Sequence, residues 1–385
     1  MTEREPPARR ALDPDTVCLV SMPVAVARRR LPGWRLDRAD CVRLAGMFGV
    51  VAGLTVLGWS TLAAVVVSGH HRPGTGSVGL GMGLTAYTLG MRHAFDADHI
   101  AAIDSTTRSL MREEKRPLSV GFWFSLGHSS VVFALSLGLS LGVRQLAGPV
   151  HDGRSGLHHY AGLVGTGISA AFLYAIAAVN LFALVGIARL VRGLRGGALD
   201  EEALERHLDQ RGLLARALRP VLRAVRKPGH MYVVGLLFGL GFDTASEVAL
   251  LVLAAGSAAS GLPWYAVLCL PVLFAAGMSL FDTIDGTFMT FAYDWSLAHP
   301  TRTLTYNLTV TGLSVAVAFG VGTAELLGLL AQQLNLTGSF WTRVQRADLT
   351  TLGLLIITLF AVTWAVAVTV SKRNAIEPDG ATETP

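Results

Sequence analysis

Eight stretches of this chain are each long and apolar enough to cross the roughly 30 Å hydrocarbon core of a bilayer at about 1.5 Å per helical residue. They run near residues 43 to 67, 78 to 105, 119 to 143, 160 to 188, 231 to 256, 263 to 292, 303 to 330 and 350 to 371. Backbone polar groups in hydrocarbon must bond within their own segment, so spans of this kind are helices. The expected fold is all-α, a polytopic membrane protein built as a helical bundle of about eight transmembrane helices. Composition agrees: 51% of 385 residues are hydrophobic, 15% are charged and the mean hydropathy is +0.48. A soluble domain of this length does not reach that balance.

A formal net charge of +5 raises the question of nucleic acid, but the arginines flank the apolar spans. That placement is topological. With the N-terminus inside, 26 of the 32 Lys and Arg fall on the cytosolic side, five fall outside, and Arg92 lies within a span. Eight spans in a cytoplasmic membrane with both termini cytosolic satisfy this asymmetry. Residues 1 to 42 then form a poorly ordered cytosolic arm. Their apolar run 17 to 27 is broken by Pro23 and preceded by Glu3, Glu5, Asp13 and Asp15, unlike a signal peptide. Residues 43 to 371 form the membrane domain and 372 to 385 a cytosolic tail. The cytosolic loop 189 to 230 carries Leu204, Leu208, Leu214, Leu218 and Leu222 at helical spacing, which suggests an amphipathic surface helix. Cys18, Cys41 and Cys269 show no paired spacing, so neither a disulfide framework nor a thiolate site is indicated.

Against this apolar background one stretch stands out: Arg92-His93-Ala94-Phe95-Asp96-Ala97-Asp98-His99-Ile100. Ionisable groups at membrane depth cost roughly 2.5 to 3.5 kcal/mol each, so a cluster of them faces a bundle interior or an ion path. Imidazole and carboxylate are donors that suit nickel, cobalt, zinc or iron. In an unbroken helix His93 and His99 stand about 9 Å apart along the axis, whereas donors sharing one ion at about 2.1 Å are at most about 4 Å apart. Either the helix is broken here or the two histidines serve different partners. Asp98 points away from the face shared by His93 and Asp96.

Three further spans carry polar groups. The third has His128 within Phe124-Ser125-Leu126-Gly127-His128-Ser129-Ser130, with Ser129 or Ser130 placed to orient the ring. The fifth has Asp243 and Glu247 on one helical face, and the sixth has Asp282 and Asp285. Measured from the cytosolic end, His93, His128, Asp243 and Asp282 fall in one band about 6 Å deep. Paired acids in a low dielectric repel unless a cation or a proton lies between them. Asp104, nearer the inner end, stands four residues before Arg108, which can pair with it, or can touch an ion. Arg92 is the one basic residue at the depth of the band and cannot neutralise seven acids, so metal binding and proton sharing both stay open. Glycines 90, 127, 241, 277 and 286 beside these groups permit close helix contact or local unwinding. The two polar span pairs, second with third and fifth with sixth, suggest weak internal symmetry.

These motifs resemble the nickel/cobalt transporter family of secondary permeases, whose second span carries a His-x4-Asp-His signature. Here it reads His93 to His99 within RHAFDADHIAAID, with FSLGHSSVV, LGFDTASE and GMSLFDTIDG as companions. The resemblance implies that His93, Asp98 and His99 are the core recognition residues, assisted by Asp96 and His128. It implies that Arg92, Asp243, Glu247, Asp282 and Asp285 serve translocation or selectivity. The implied function is high-affinity uptake of Ni2+ or Co2+ as transported substrate, with no resident cofactor and the lipid bilayer as surroundings. Export by a related transporter is the alternative; related exporters often carry a histidine-rich cytosolic loop, and 189 to 230 holds only His207 and His230. A membrane metalloenzyme fits less well, since His-Glu-x-x-His is absent. No Gly-x4-Gly-Lys-Ser/Thr loop occurs, so ATP is not expected to drive the chain. The pattern does not rank nickel against cobalt or set an oligomeric state.

Overall fold

The computed structural model describes residues 36–67, 80–111, 116–141, 156–196, 225–241, 245–259, 264–297, 304–345 and 348–376. Most of the N-terminal arm, the expected amphipathic stretch of the loop after 196 and the end of the tail lie outside the described residues. Among the described residues all regular structure is helical. In chain order the helices are α1 (Arg38–Val67), α2 (Leu80–His93), α3 (Ala97–Met111), α4 (Val120–Ser140), α5 (Gly156–Gly196), α6 (Met231–Phe238), α7 (Ala245–Ala259), α8 (Trp264–Val267), α9 (Cys269–Leu297), α10 (Leu304–Gln333), α11 (Ser339–Gln345) and α12 (Leu349–Ile376).

Each of the eight apolar stretches is helical over most of its described residues, but only six are continuous enough to cross a membrane as single described helices. The second and fifth stretches are each divided, into α2 and α3 and into α6 and α7. The first division has a local cause. Basic Arg92 and His93 end α2 and acidic Asp96 and Asp98 open α3, each charge opposing the helix dipole at its own end. The chain tightens between them: Phe95 N–H donates to the Arg92 carbonyl at 3.1 Å and Asp96 N–H to that of His93 at 2.9 Å. In the fifth stretch α6 ends at Gly239, followed by N–H bonds from Leu240 to the Leu237 carbonyl and from Gly241 to that of Phe238.

Helix α9 forms the centre and packs on α1, α2, α3 and α4. Of its apolar window 78% is buried, against 22% for α1 and 17% for α12, which present Val56, Leu57, Leu355 and Val362 outward as a lipid-facing surface does. Small residues set the closest crossings. A Cβ on Gly90 of α2 would overlap the Phe274 carbonyl of α9, and one on Gly277 of α9 would overlap the Tyr87 carbonyl of α2. The same reciprocal contact joins α4 and α6 through Gly127 and Gly235. Span two thus leans on span six as span five leans on span three.

At one end of the bundle Arg116, between α3 and α4, bridges two helices. Its Nη1 donates to Asp40 of α1 at 2.7 Å and its Nη2 to Asp294 of α9 at 2.6 Å. Burial opposes the charge, but the two carboxylates outweigh it and hold the guanidinium above its usual range.

Candidate metal centre

The break in span two changes what its residues can reach. His93 is the last residue of α2, His99 sits in the first turn of α3, and the turn at 94–96 folds the two rings together with centroids 4.6 Å apart. His128, from the middle of α4, completes a triangle at 4.8 Å from His93 and 4.9 Å from His99. The three residues are at most 3% exposed. One ring nitrogen from each lies within 4.8 Å of the others. Adjacent donors on one ion with bonds of about 2.1 Å stand about 3.0 to 3.4 Å apart, so the widest pair closes by up to roughly 1.8 Å on binding.

The hydrogen bonds orient the rings inward. His93 Nδ1 lies 2.9 Å from Asp96 Oδ2 and, as the donor to that carboxylate, leaves Nε2 facing His128 Nε2 at 2.9 Å. Glu247 enters from the first turn of α7, just past the break in span five. Its Oε1 is 2.7 Å from His128 Nε2 and 3.8 Å from His93 Nε2. His99 Nδ1 lies 3.4 Å from Asp282 Oδ2 of α9, while His99 Nε2 and Asp282 Oδ1 are buried with no hydrogen-bond partner. Phe124 and Phe274 close the rim, at 4.8 Å from His99 and 5.6 Å from His93. Three imidazoles and one carboxylate thus converge beside the Phe124 and Phe274 rings, a donor set of the kind that can hold one first-row divalent cation.

Of the residues singled out from sequence, His93, His99, His128, Asp96, Glu247 and Asp282 come together here. Asp285, one turn further along α9, is buried with Oδ2 unbonded. Asp98 Oδ1 accepts the His99 backbone N–H at 2.9 Å, at the start of α3. Asp243 lies outside the described residues. Arg92 turns to the surface, its side chain 53% exposed, and pairs with Asp348 at 3.8 Å. The Thr351 hydroxyl, the Thr350 backbone N–H and Arg92 together hold the Asp348 carboxyl below its usual range. Neither serine beside His128 holds its ring: Ser130 bonds the Leu126 carbonyl and Tyr232, and Ser129 Oγ and His128 Nδ1 have no partner.

The structure also joins polar groups to partners far along the chain. Thr350 donates to Asp96 Oδ1 at 2.6 Å. Below the triad Arg108 lies 4.1 Å over the Tyr293 ring and donates to Ser314 at 3.2 Å, and Tyr293 donates to Asp104. Glu325 of α10 accepts from Ser169 of α5 at 3.0 Å. Glu325 was visible as an acid inside an apolar span; Thr350 had no signal, since a threonine at a helix start is ordinary.

Comparison with known proteins gives the family. The model described as "High-affinity nickel-transport protein" (NicO) matches residues 79–370. The chain is 56% identical over 342 residues to "Nickel transporter NicT" of Mycobacterium tuberculosis, covering 89% of this chain and 92% of that protein. It is 41% identical over 328 residues to "Nickel transporter NixA" of Staphylococcus aureus, covering 85% and 94%. It is 44% identical over 301 residues to "Cobalt transport protein NhlF" of Rhodococcus rhodochrous, covering 78% and 84%. No solved structure matches it. The chain belongs to the high-affinity nickel-transport protein family and is a multi-pass membrane transporter, not an enzyme.

Proposed function

We propose that this chain takes up Ni2+, Co2+ or both across the cytoplasmic membrane, and that the ion is recognised by His93, His99 and His128 with Glu247 as a fourth donor. The observation that carries this reading is the convergence of three buried imidazoles on one point, two of them from either side of a helix break. Its donors suit these metals. The Nε2 atoms of His93 and His128 stand 2.9 Å apart, close enough for one ion with bonds of about 2.1 Å to reach both.

From the triad the ion passes Asp282 and Asp285 along α9. Asp98 assists from the start of α3, and Asp243 and Arg92 serve passage or selectivity. The excess of Lys and Arg in alternate loops supports cytosolic termini, with the arm and tail as extensions of an eight-span domain in which two spans are discontinuous. The relatives named for nickel and for cobalt support either ion as substrate.

The test is accumulation of radioactive nickel and cobalt, each at nanomolar concentration under excess magnesium, in cells expressing the chain or His93→Ala. Uptake that is lost in the variant, with the protein still in the membrane, is the expected result. Retained high-affinity uptake in the variant removes the site. Faster loss of ion from preloaded cells, without accumulation, reverses the direction.

A further inference from the structure

Span eight carries none of the polar motifs, yet its first turn lies against the break in span two. Asp96 is the link. Its Oδ2 accepts from His93 Nδ1 at 2.9 Å and its Oδ1 accepts from the Thr350 hydroxyl at 2.6 Å. One carboxylate, 3% exposed, therefore runs from α12 to an imidazole of the metal centre.

The Thr350 contact is set up by its surroundings. Thr358, Thr363 and Thr369 further along α12 all return their hydroxyls to the carbonyl four residues earlier in the same helix. Thr350 stands in the first turn, where no such helical carbonyl precedes it, and its hydroxyl turns to Asp96 instead. Asp348 holds that turn in place: Oδ1 accepts the Thr350 N–H at 3.2 Å and Oδ2 accepts the Thr351 hydroxyl at 2.6 Å. On the next turn Gly353 lies directly against the Phe95 carbonyl, where a Cβ would overlap the oxygen. The helix start and the break are thus fitted to one another by three adjacent features.

A carboxylate held by one oxygen can rotate and carry an imidazole with it. Occupying the second oxygen fixes its plane. We infer that Thr350 is a positioning residue for the transported divalent cation: by bonding Asp96 it locks the His93 ring so that Nε2 faces the site, and span eight thereby sets how tightly the ion is recognised. The inference rests on the reading of His93 as a ligand. Groups that orient metal-binding imidazoles change affinity by about 10- to 100-fold, and Thr350 acts one bond further out.

The experiment uses the full chain, purified in detergent, titrated with Ni2+ by calorimetry and with Co2+ by visible absorption, alongside cellular uptake. Thr350→Val keeps the shape and removes the donor; Thr350→Ser keeps the donor. The expected result for Thr350→Val is Ni2+ affinity lower by about 3- to 10-fold, a shifted Co2+ spectrum, and a raised KM for uptake at unchanged maximal rate. Thr350→Ser retains wild-type affinity and spectrum. Unchanged affinity and spectrum in Thr350→Val overturn the inference, as does equal loss in Thr350→Ser, which would mark a packing role. Thr350→Ala carries the same expectation if Thr350→Val does not reach the membrane. His93→Ala, titrated in parallel, separates the two readings: tight binding retained there removes the site itself, while binding lost there and kept in Thr350→Val removes only the role of Thr350.

Discussion

Two imidazole nitrogens facing each other at 2.9 Å, as in His93 and His128, repel if both present lone pairs. One hydrogen on His128 Nε2 relieves this, and two acceptors lie within its reach, His93 Nε2 at 2.9 Å and Glu247 Oε1 at 2.7 Å. If the ion binds here as proposed, it takes the place of that hydrogen. Nickel binding is expected to release protons, seen as a dependence of the calorimetric heat on the ionisation enthalpy of the buffer. A heat independent of buffer would mean the donors are already bare. Glu247→Gln keeps the hydrogen bond to His128 but removes the charge. It is expected to raise the nickel concentration for half-maximal uptake by about 10-fold or more, with membrane levels unchanged on immunoblots.

At the scale of the element, the three histidines and Glu247 meet because two spans are interrupted. Unbroken, span two would hold His93 and His99 about 9 Å apart along the axis; the turn at 94–96 brings their rings to 4.6 Å. Glu247 likewise stands at the start of α7, just past a break. Each interrupted span has its first half pressed onto a neighbour through paired glycines, so the breaks are held by packing on the far side. Gly90→Val forces α2 away from the Phe274 carbonyl. It is expected to broaden or abolish the monodisperse peak in size-exclusion chromatography of the solubilised protein, and to cost nickel binding although no ligand is altered. Normal elution with normal binding would show that the α2–α9 crossing tolerates separation.

For the whole molecule, span two packs on span six and span five on span three through the same kind of reciprocal glycine contact, and α9 is largely enclosed. At one end Arg116 joins α1 and α9 through two carboxylates that are themselves largely buried. Removing one member of such a cluster leaves the others uncompensated. Arg116→Ala is expected to lower the thermal midpoint of the purified protein. Adding Asp294→Asn should cost less than the sum of the single changes, because the aspartate has already lost its partner. Additive losses would show that the bridge carries no coupling.

The sequence by itself determined the all-helical membrane fold, the positions of eight apolar stretches and the four polar motifs, because hydrocarbon forces backbone bonding within segments and makes every buried charge conspicuous. It also held the charges that stop α2 and start α3. Tertiary structure decided which alternative those charges served, since a break is stable only where other helices fill the space around it. It brought His128 and Glu247 to His93 and His99, sent Arg92 outward to Asp348, and set Asp98 on its own backbone. It alone revealed Thr350 and the Arg116 bridge: the first is an ordinary threonine 254 residues from its acceptor, and the second unites charges 76 and 178 residues away. Periodicity and charge report how a segment meets its surroundings. Which distant segment provides those surroundings is settled only when the helices pack.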